Sequence, residues 1–141
     1  MRGTQTPKLD EKNRLTLPAK NRASLPEQLT VVCEQERCLG IYPREVLDQM
    51  MAPIDAAPWT LKQVREYQRW FNSRAEDVTV DTQGRITITP TQRAWAGLEK
   101  EVVVIGAGPR LEVWNPDRWA EYSPTLDEKF ADFDGEIVPR S

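Results

Sequence analysis

The chain states one short pattern twice, 71 positions apart, and this duplication limits what it can fold into. Asp10-Glu11-Lys12-Asn13-Arg14-Leu15-Thr16-Leu17 returns as Asp81-Thr82-Gln83-Gly84-Arg85-Ile86-Thr87-Ile88. At this offset Asp10, Arg14, Thr16 and Arg22 match Asp81, Arg85, Thr87 and Arg93, and Leu15 and Leu17 match Ile86 and Ile88. Val31-Val32 then matches Val102-Val103, and after a slip of one residue Leu39, Ile41 and Tyr42 meet Leu111, Val113 and Trp114. Each copy is about 45 residues long, a size at which a lone core is marginal. The two copies are therefore expected to share one core.

Within each copy the residue types dictate a local order. Residues 7–10 and 14–17 read as two short strands around a tight loop. Asp at the first position of a type I turn accepts local backbone hydrogen bonds. The fourth turn position needs a left-handed residue, and Asn13 and Gly84 are the types that tolerate it best. That is the signature of a three-residue hairpin loop with a bulge. In the second copy Val78, Val80, Ile86 and Ile88 alternate with Thr79, Asp81, Arg85 and Thr87, as strands with one apolar face require. A short helix follows: Thr89 caps it, Pro90 suits its first turn, and Gly97 ends it. In the first copy Pro18 stands at the matching entry and Pro26 at the stop. Strands at 29–33 and 102–105 turn back into 39–42 and 111–114, and a further helix starts near Pro43 or Pro116. Each repeat thus reads strand, strand, helix, strand, strand, helix. A proline- and alanine-rich connector at 52–58 leads into a helix at 59–75, with Leu61, Val64, Tyr67 and Phe71 on one face and Lys62, Arg65, Arg69 and Arg74 on the other. Ser123-Pro124 is expected to open a last helix that shows Leu126, Phe130 and Phe133, within an acidic tail.

Composition removes several function classes. With no histidine among 141 residues, Ser-His-Asp and Cys-His catalysis is impossible, and no spacing singles out a pair of carboxylates. No catalytic residue is assigned, and no enzymatic activity, cofactor or small-molecule substrate is expected. Cys33 and Cys38, the only cysteines, are too few for a zinc site without histidine and read as two reduced thiols around a turn. Gly106-Ala107-Gly108 lacks the third glycine of a dinucleotide loop, since Leu111 stands there, and reads as a hairpin turn. No apolar run is long enough to cross a bilayer, and the N-terminus lacks a signal-peptide core, so the expected compartment is the cytoplasm. Net charge is −3, but residues 1–22 hold six basic residues against two acidic ones. That gives +4 locally and leaves −7 for the remaining 119, so a basic patch sits on an acidic body.

The turn explains why Asp and Arg stand four apart: the chain folds them back opposite one another on a polar face. Asp10 is expected to orient Arg14, and Asp81 to orient Arg85. A turn-stabilising ion pair, copied with everything else, is one sufficient reason for the motif. The basic company favours another: Lys12, Lys20 and Arg22 surround Arg14, and Arg93 holds the matching place near Arg85. Arginine suits bidentate contact with guanine and with phosphate, and a two-stranded ribbon fits the major groove.

Leu9-Asp10-Glu11-Lys12-Asn13-Arg14-Leu15-Thr16-Leu17-Pro18 and Asp81-Thr82-Gln83-Gly84-Arg85-Ile86 resemble the doubled motif of the MraZ family. Arg37-Cys38-Leu39-Gly40-Ile41-Tyr42-Pro43 and Leu111-Glu112-Val113-Trp114 resemble its pattern too. The likeness runs to about residue 120. It implies an α+β fold: a tandem-repeat, AbrB-like, swapped-hairpin β-barrel with short helices and a pseudo-two-fold within one chain. The organisation it implies is repeat 1 at 5–47, a connector and helix at 48–75, repeat 2 at 76–119 and an acidic helix or tail at 120–141. It further implies a ring-like homo-oligomer, nucleoid-associated, that binds double-stranded promoter DNA at direct repeats. Arg14 and Arg85 would contact DNA, and Lys12, Lys20, Arg22 and Arg93 would hold phosphates. Asn13 departs from the family's usual glycine, and Gln92 stands where an apolar residue is more usual. The competing class is an antitoxin-like protein-binding module on the same fold, with Phe130 and Phe133 on a partner-wrapping arm. A purely structural ring is the third reading.

Overall fold

The two copies build one sheet by lending strands to each other. A computed structural model describes residues 1–138. The first half gives β1 (Thr4–Gln5), β2 (Arg14–Thr16), α1 (Ala19–Arg22), β3 (Gln28–Glu34), β4 (Cys38–Pro43) and α2 (Arg44–Asp55). After α3 (Lys62–Arg74) the order recurs as β5 (Glu76–Thr79), β6 (Arg85–Thr87), α4 (Pro90–Ala96), β7 (Val103–Gly106), β8 (Leu111–Trp114) and α5 (Pro116–Ala131). The main sheet is antiparallel with six strands in the order β1-β7-β8-β4-β3-β5. Exchanging the halves leaves that order unchanged. β4 and β8 meet at its centre, while β1 pairs with β7 and β5 with β3, each an edge strand on the other half. β2 and β6 form a separate two-stranded ribbon.

This overturns one local expectation. The strands flanking each turn do not ladder with each other beyond the closing bonds of the turn itself. Arg14 faces Thr87 and Leu15 faces Ile86, while Lys8 bridges to Glu101. Long-range partners win because they put the apolar side of both strands against a common core. The six-stranded sheet is open, and among the described residues no closed barrel forms.

Leu15, Leu17, Ile86 and Ile88 from the ribbon meet Leu29, Val31, Leu39, Ile41, Val102, Val104, Leu111 and Val113 from the sheet, all buried in one cluster. A bare two-stranded ribbon is marginal in water. Each of these apolar side chains adds about 1.5–3 kcal/mol on full burial, which is what holds the ribbon in place. The opposite face of the sheet is covered twice. Val32 and Tyr42 pack with Leu47 of α2 and Phe71 of α3, and Cys38, Val103 and Trp114 pack with Trp119 and Tyr122 of α5. Strands β3 and β4 are therefore buried on both sides, as their unbroken apolar runs require. Arg44 stitches edge strand β5 to β3 by donating to the carbonyls of Val78 and Leu29.

Helix α4 follows its sequence signals. Thr89 and Gln92 form a reciprocal capping box, Pro90 opens the helix, and Gly97 ends it at φ 63° while the Leu98 amide reaches back to Arg93. Gln92 is fully buried and fully used. Its amide group donates to the Val31 and Arg74 carbonyls, both at 3.0 Å, and its oxygen accepts from the Thr89 amide. It ties α4 to the central sheet and to the last turn of α3.

Two expected boundaries shift. α2 runs through Pro53 to Asp55, which shortens the connector, and α5 continues through Pro124 as one helix where two were expected. The carbonyls these prolines release belong to Gln49 and Ala120, both exposed residues that water can satisfy. On α3 only Phe71 of the expected apolar face is buried, and Leu61 stays exposed. Cys33 and Cys38 are free and buried in different clusters, because Cys38 lies opposite Glu34 and Cys33 opposite Leu39 in the ladder. Their side chains leave opposite faces of the sheet. Gly106-Ala107-Gly108 lies in the β7–β8 hairpin, closed by the Ala107 amide on the Arg110 carbonyl at 2.9 Å.

Candidate nucleic-acid interface

Each Asp-x-x-x-Arg segment closes the same turn. The Asn13 amide donates to the Asp10 carbonyl at 2.9 Å and the Asp10 amide to the Arg14 carbonyl at 3.0 Å. Gly84, Asp81 and Arg85 repeat this at 3.0 Å. Asn13 and Gly84 adopt φ of 58° and 76°, the left-handed position that closes a three-residue loop. The aspartates do more than pair. Asp10 Oδ1 accepts from the Lys12 and Arg14 amides and its Oδ2 from Arg14 Nε at 2.7 Å. Asp81 accepts from the Gln83 and Arg85 amides and from Arg85 Nε at 2.8 Å.

These amide donors, foremost that of the arginine four residues on, hold both carboxyls below the ordinary Asp value of 3.8, helped by the guanidinium. Depressed carboxylate pKa values give a stabilisation that is complete above the ordinary value and is lost as pH falls through the lowered one. We expect an NMR titration of the Arg14 and Arg85 amides to show the turns intact at pH 5 and released only below 3.8. A midpoint at or above 3.8 would contradict this geometry.

Because β2 pairs with β6, the two turns do not stand apart. Arg14 and Thr16 alternate with buried Leu15, and Arg85 and Thr87 flank buried Ile86, so one face of the ribbon carries two arginines and two threonines. The motifs also touch across the ribbon, since Arg85 Nη1 lies 3.9 Å from Asp10 Oδ2. Each guanidinium is held through Nε by its own aspartate, an orientation that aims the terminal nitrogens.

The other basic residues divide. Lys12 is exposed within the first turn. Lys20 on α1 lies with its ammonium against Gly3, and among the described residues no hydrogen bond or ion pair joins it to either turn. Arg22 crosses to the other half: Nε donates to the Leu17 carbonyl at 3.2 Å and Nη2 to the Gln83 carbonyl at 3.5 Å. Its guanidinium covers Gly84 so closely that a Cβ there would lie 2.4 Å from Cζ. Arg93, its counterpart, shares a cleft of about 350 Å³ with Asp10, Glu11, Asn13 and Lys100. Asn13 carries the side chain that Gly84 lacks, and no matching bonds tie Arg93 to the first turn among the described residues. Thr16 and Thr87 on the ribbon, and Lys100 in the cleft, extend the polar surface beyond the residues named from sequence. The two threonines stand two positions beyond each arginine, the spacing that shares a strand face.

The family model described as "MraZ protein, putative antitoxin-like" matches residues 1–69 and again 71–138. A transcriptional regulator MraZ from Cutibacterium acnes is 47% identical over 130 residues, covering 92% of this chain and 92% of its own. Those of Kineococcus radiotolerans and Thermobifida fusca are each 44% identical over 137 residues, covering 97% of this chain and 96% of theirs.

Proposed function

This chain belongs to the MraZ family, whose members are transcriptional regulators and not enzymes, and we propose that it regulates transcription by sequence-specific binding of promoter DNA. The observation that carries the reading is the joint ribbon, which presents Arg14 and Arg85 diagonally across one polar face while its apolar face is locked in the core. A two-stranded ribbon enters the major groove of B-DNA, and an arginine there reads guanine O6 and N7. Lys12, Lys20 and Arg93 hold phosphates on either side, and Arg22 chiefly fixes the second turn. The targets are direct repeats upstream of division and cell-wall genes, and the protein works in the cytoplasm at the nucleoid.

The strand exchange between halves supports an AbrB-like swapped-hairpin fold. Its repeats lie at 5–47 and 76–119, with a connector and helix at 48–75 and a tail from 120. Several subunits in a ring engage the repeats together, so avidity compensates for few contacts per subunit and for the net charge of −3. No helix among the described residues is long and apolar enough to cross a membrane.

The test is a gel shift with DNA from upstream of the protein's own gene, repeated over a salt series. Three phosphate contacts per subunit predict that affinity falls about 40-fold per engaged subunit between 50 and 200 mM salt, roughly the counterion-release slope for that number. A flat profile would remove the phosphate contacts. Stoichiometric capture of a toxin-like protein, with no promoter DNA enriched, would reverse the reading in favour of an antitoxin-like module.

A further inference from the structure

Two apolar surfaces remain bare after the core is complete. One lies along α2 and the start of α3, where Ile54, Leu61, Val64 and Tyr67 line a groove of about 560 Å³. Leu61 is 54% exposed, and Trp59 beside it is 74% exposed. The other is the end of α5 and the segment after it, where Phe130 (50% exposed) meets Phe133 in a tilted ring contact and has the Lys129 ammonium over its ring. Large apolar side chains grouped in this way mark an interface.

Their charges are opposite. Helix α3 carries Lys62, Arg65, Arg69 and Arg74 against the single acidic Glu66. Residues 126–138 carry Asp127, Glu128, Asp132, Asp134 and Glu136 against the single basic Lys129. Arg65 is already anchored at the groove, donating to the Trp59 and Thr60 carbonyls at 2.9 Å. Leu126 and Phe130 stand one turn apart on α5, and Phe133 follows just past the helix end, so the three apolar side chains lie along one short segment.

We propose that the α5 tail of one copy docks in the α2–α3 groove of a second copy, with Phe130 and Phe133 as anchors and the acidic flank against Lys62 and Arg69. Among the described residues no residue of the tail lines the groove of its own chain, which leaves a neighbouring copy to join them. Such a contact is heterologous: every copy offers one tail and one groove, so the contacts close into a ring when the rotation permits. The inference rests on the proposed self-association and identifies the surfaces that would make it.

The contact has a signature that other interfaces lack. One full-length variant carries Phe130→Asp and Phe133→Asp, and a second carries Trp59→Asp and Leu61→Asp. All four positions are exposed, and Leu61 is the N-cap of α3, where Asp favours the helix. Native mass spectrometry should find the wild type assembled and each variant monomeric. Mixed at equal amounts, the variants should give a heterodimer and nothing larger, since one intact tail meets one intact groove. Assembly of either variant at wild-type size, or a mixture that stays monomeric, would overturn the proposal. A wild type that is monomeric at every concentration would instead remove the self-association on which it rests.

Discussion

Replacing both Arg14 and Arg85 with Ala should leave a folded protein that no longer distinguishes its operator from other DNA. Folding survives because each aspartate keeps its backbone work. Asp10 Oδ1 still accepts from the amides of residues 12 and 14, and Asp81 from those of residues 83 and 85. The buried side of the ribbon, Leu15 and Ile86, is untouched. An arginine that reads a base contributes about 1–3 kcal/mol of discrimination, so two at their lower limit predict a loss of at least roughly 30-fold per subunit. Circular dichroism and thermal unfolding would establish the fold, and a binding isotherm on promoter and scrambled DNA would establish the loss. Wild-type promoter affinity in the folded double variant would sink the assignment of the ribbon as the reading surface. The single variants need not match, because Arg85 approaches both aspartates and Arg14 only its own.

The second large effect is on stability and lies away from the ribbon. Gln92→Leu keeps the volume at a fully buried position but strands the Val31 and Arg74 carbonyls and dissolves half of the α4 capping box. Each buried group left without a partner costs about 1–3 kcal/mol. The expected loss is therefore about 2–6 kcal/mol, read in urea as a lower midpoint at unchanged slope. Gln92→Glu should be worse at neutral pH, since an ionised carboxylate cannot donate to either carbonyl. If Gln92→Leu unfolds at the wild-type midpoint, the clamp between α4, β3 and α3 contributes nothing.

What could be read from the sequence was the chemistry of neighbours. Asp10, Asn13 and Arg14 specify a turn within five residues, and Thr89, Gln92 and Gly97 specify both ends of a helix, because every bond involved is local. What could not be read was the choice of distant partners. Leu15 has the same alternation whether it pairs with residues 7–10 or with Ile86, and only the shared core decides between them. The role of Arg22 was hidden for the same reason: it depends on the absence of a Cβ 62 positions away. Pro53 and Pro124 misled because a proline stops a helix only where the released carbonyl has no other partner. The bare Leu61 was masked by a pattern that, on the helical wheel, looks like any buried face.

The strand exchange also sets a timetable for synthesis. Thr4 pairs with Ile105, so the first strand made must wait for almost the last. A nascent chain that has released β3 and β4 can close that hairpin, but Leu39 and Ile41 lack the β8 edge and β1 has no partner until β7 emerges. Contacts this far apart slow folding, because loop closure must precede the gain from pairing. The chain commits to its structure late and all at once. A product cut short before residue 103 has no stable half to fall back on, and becomes a substrate for proteases and not a partial regulator.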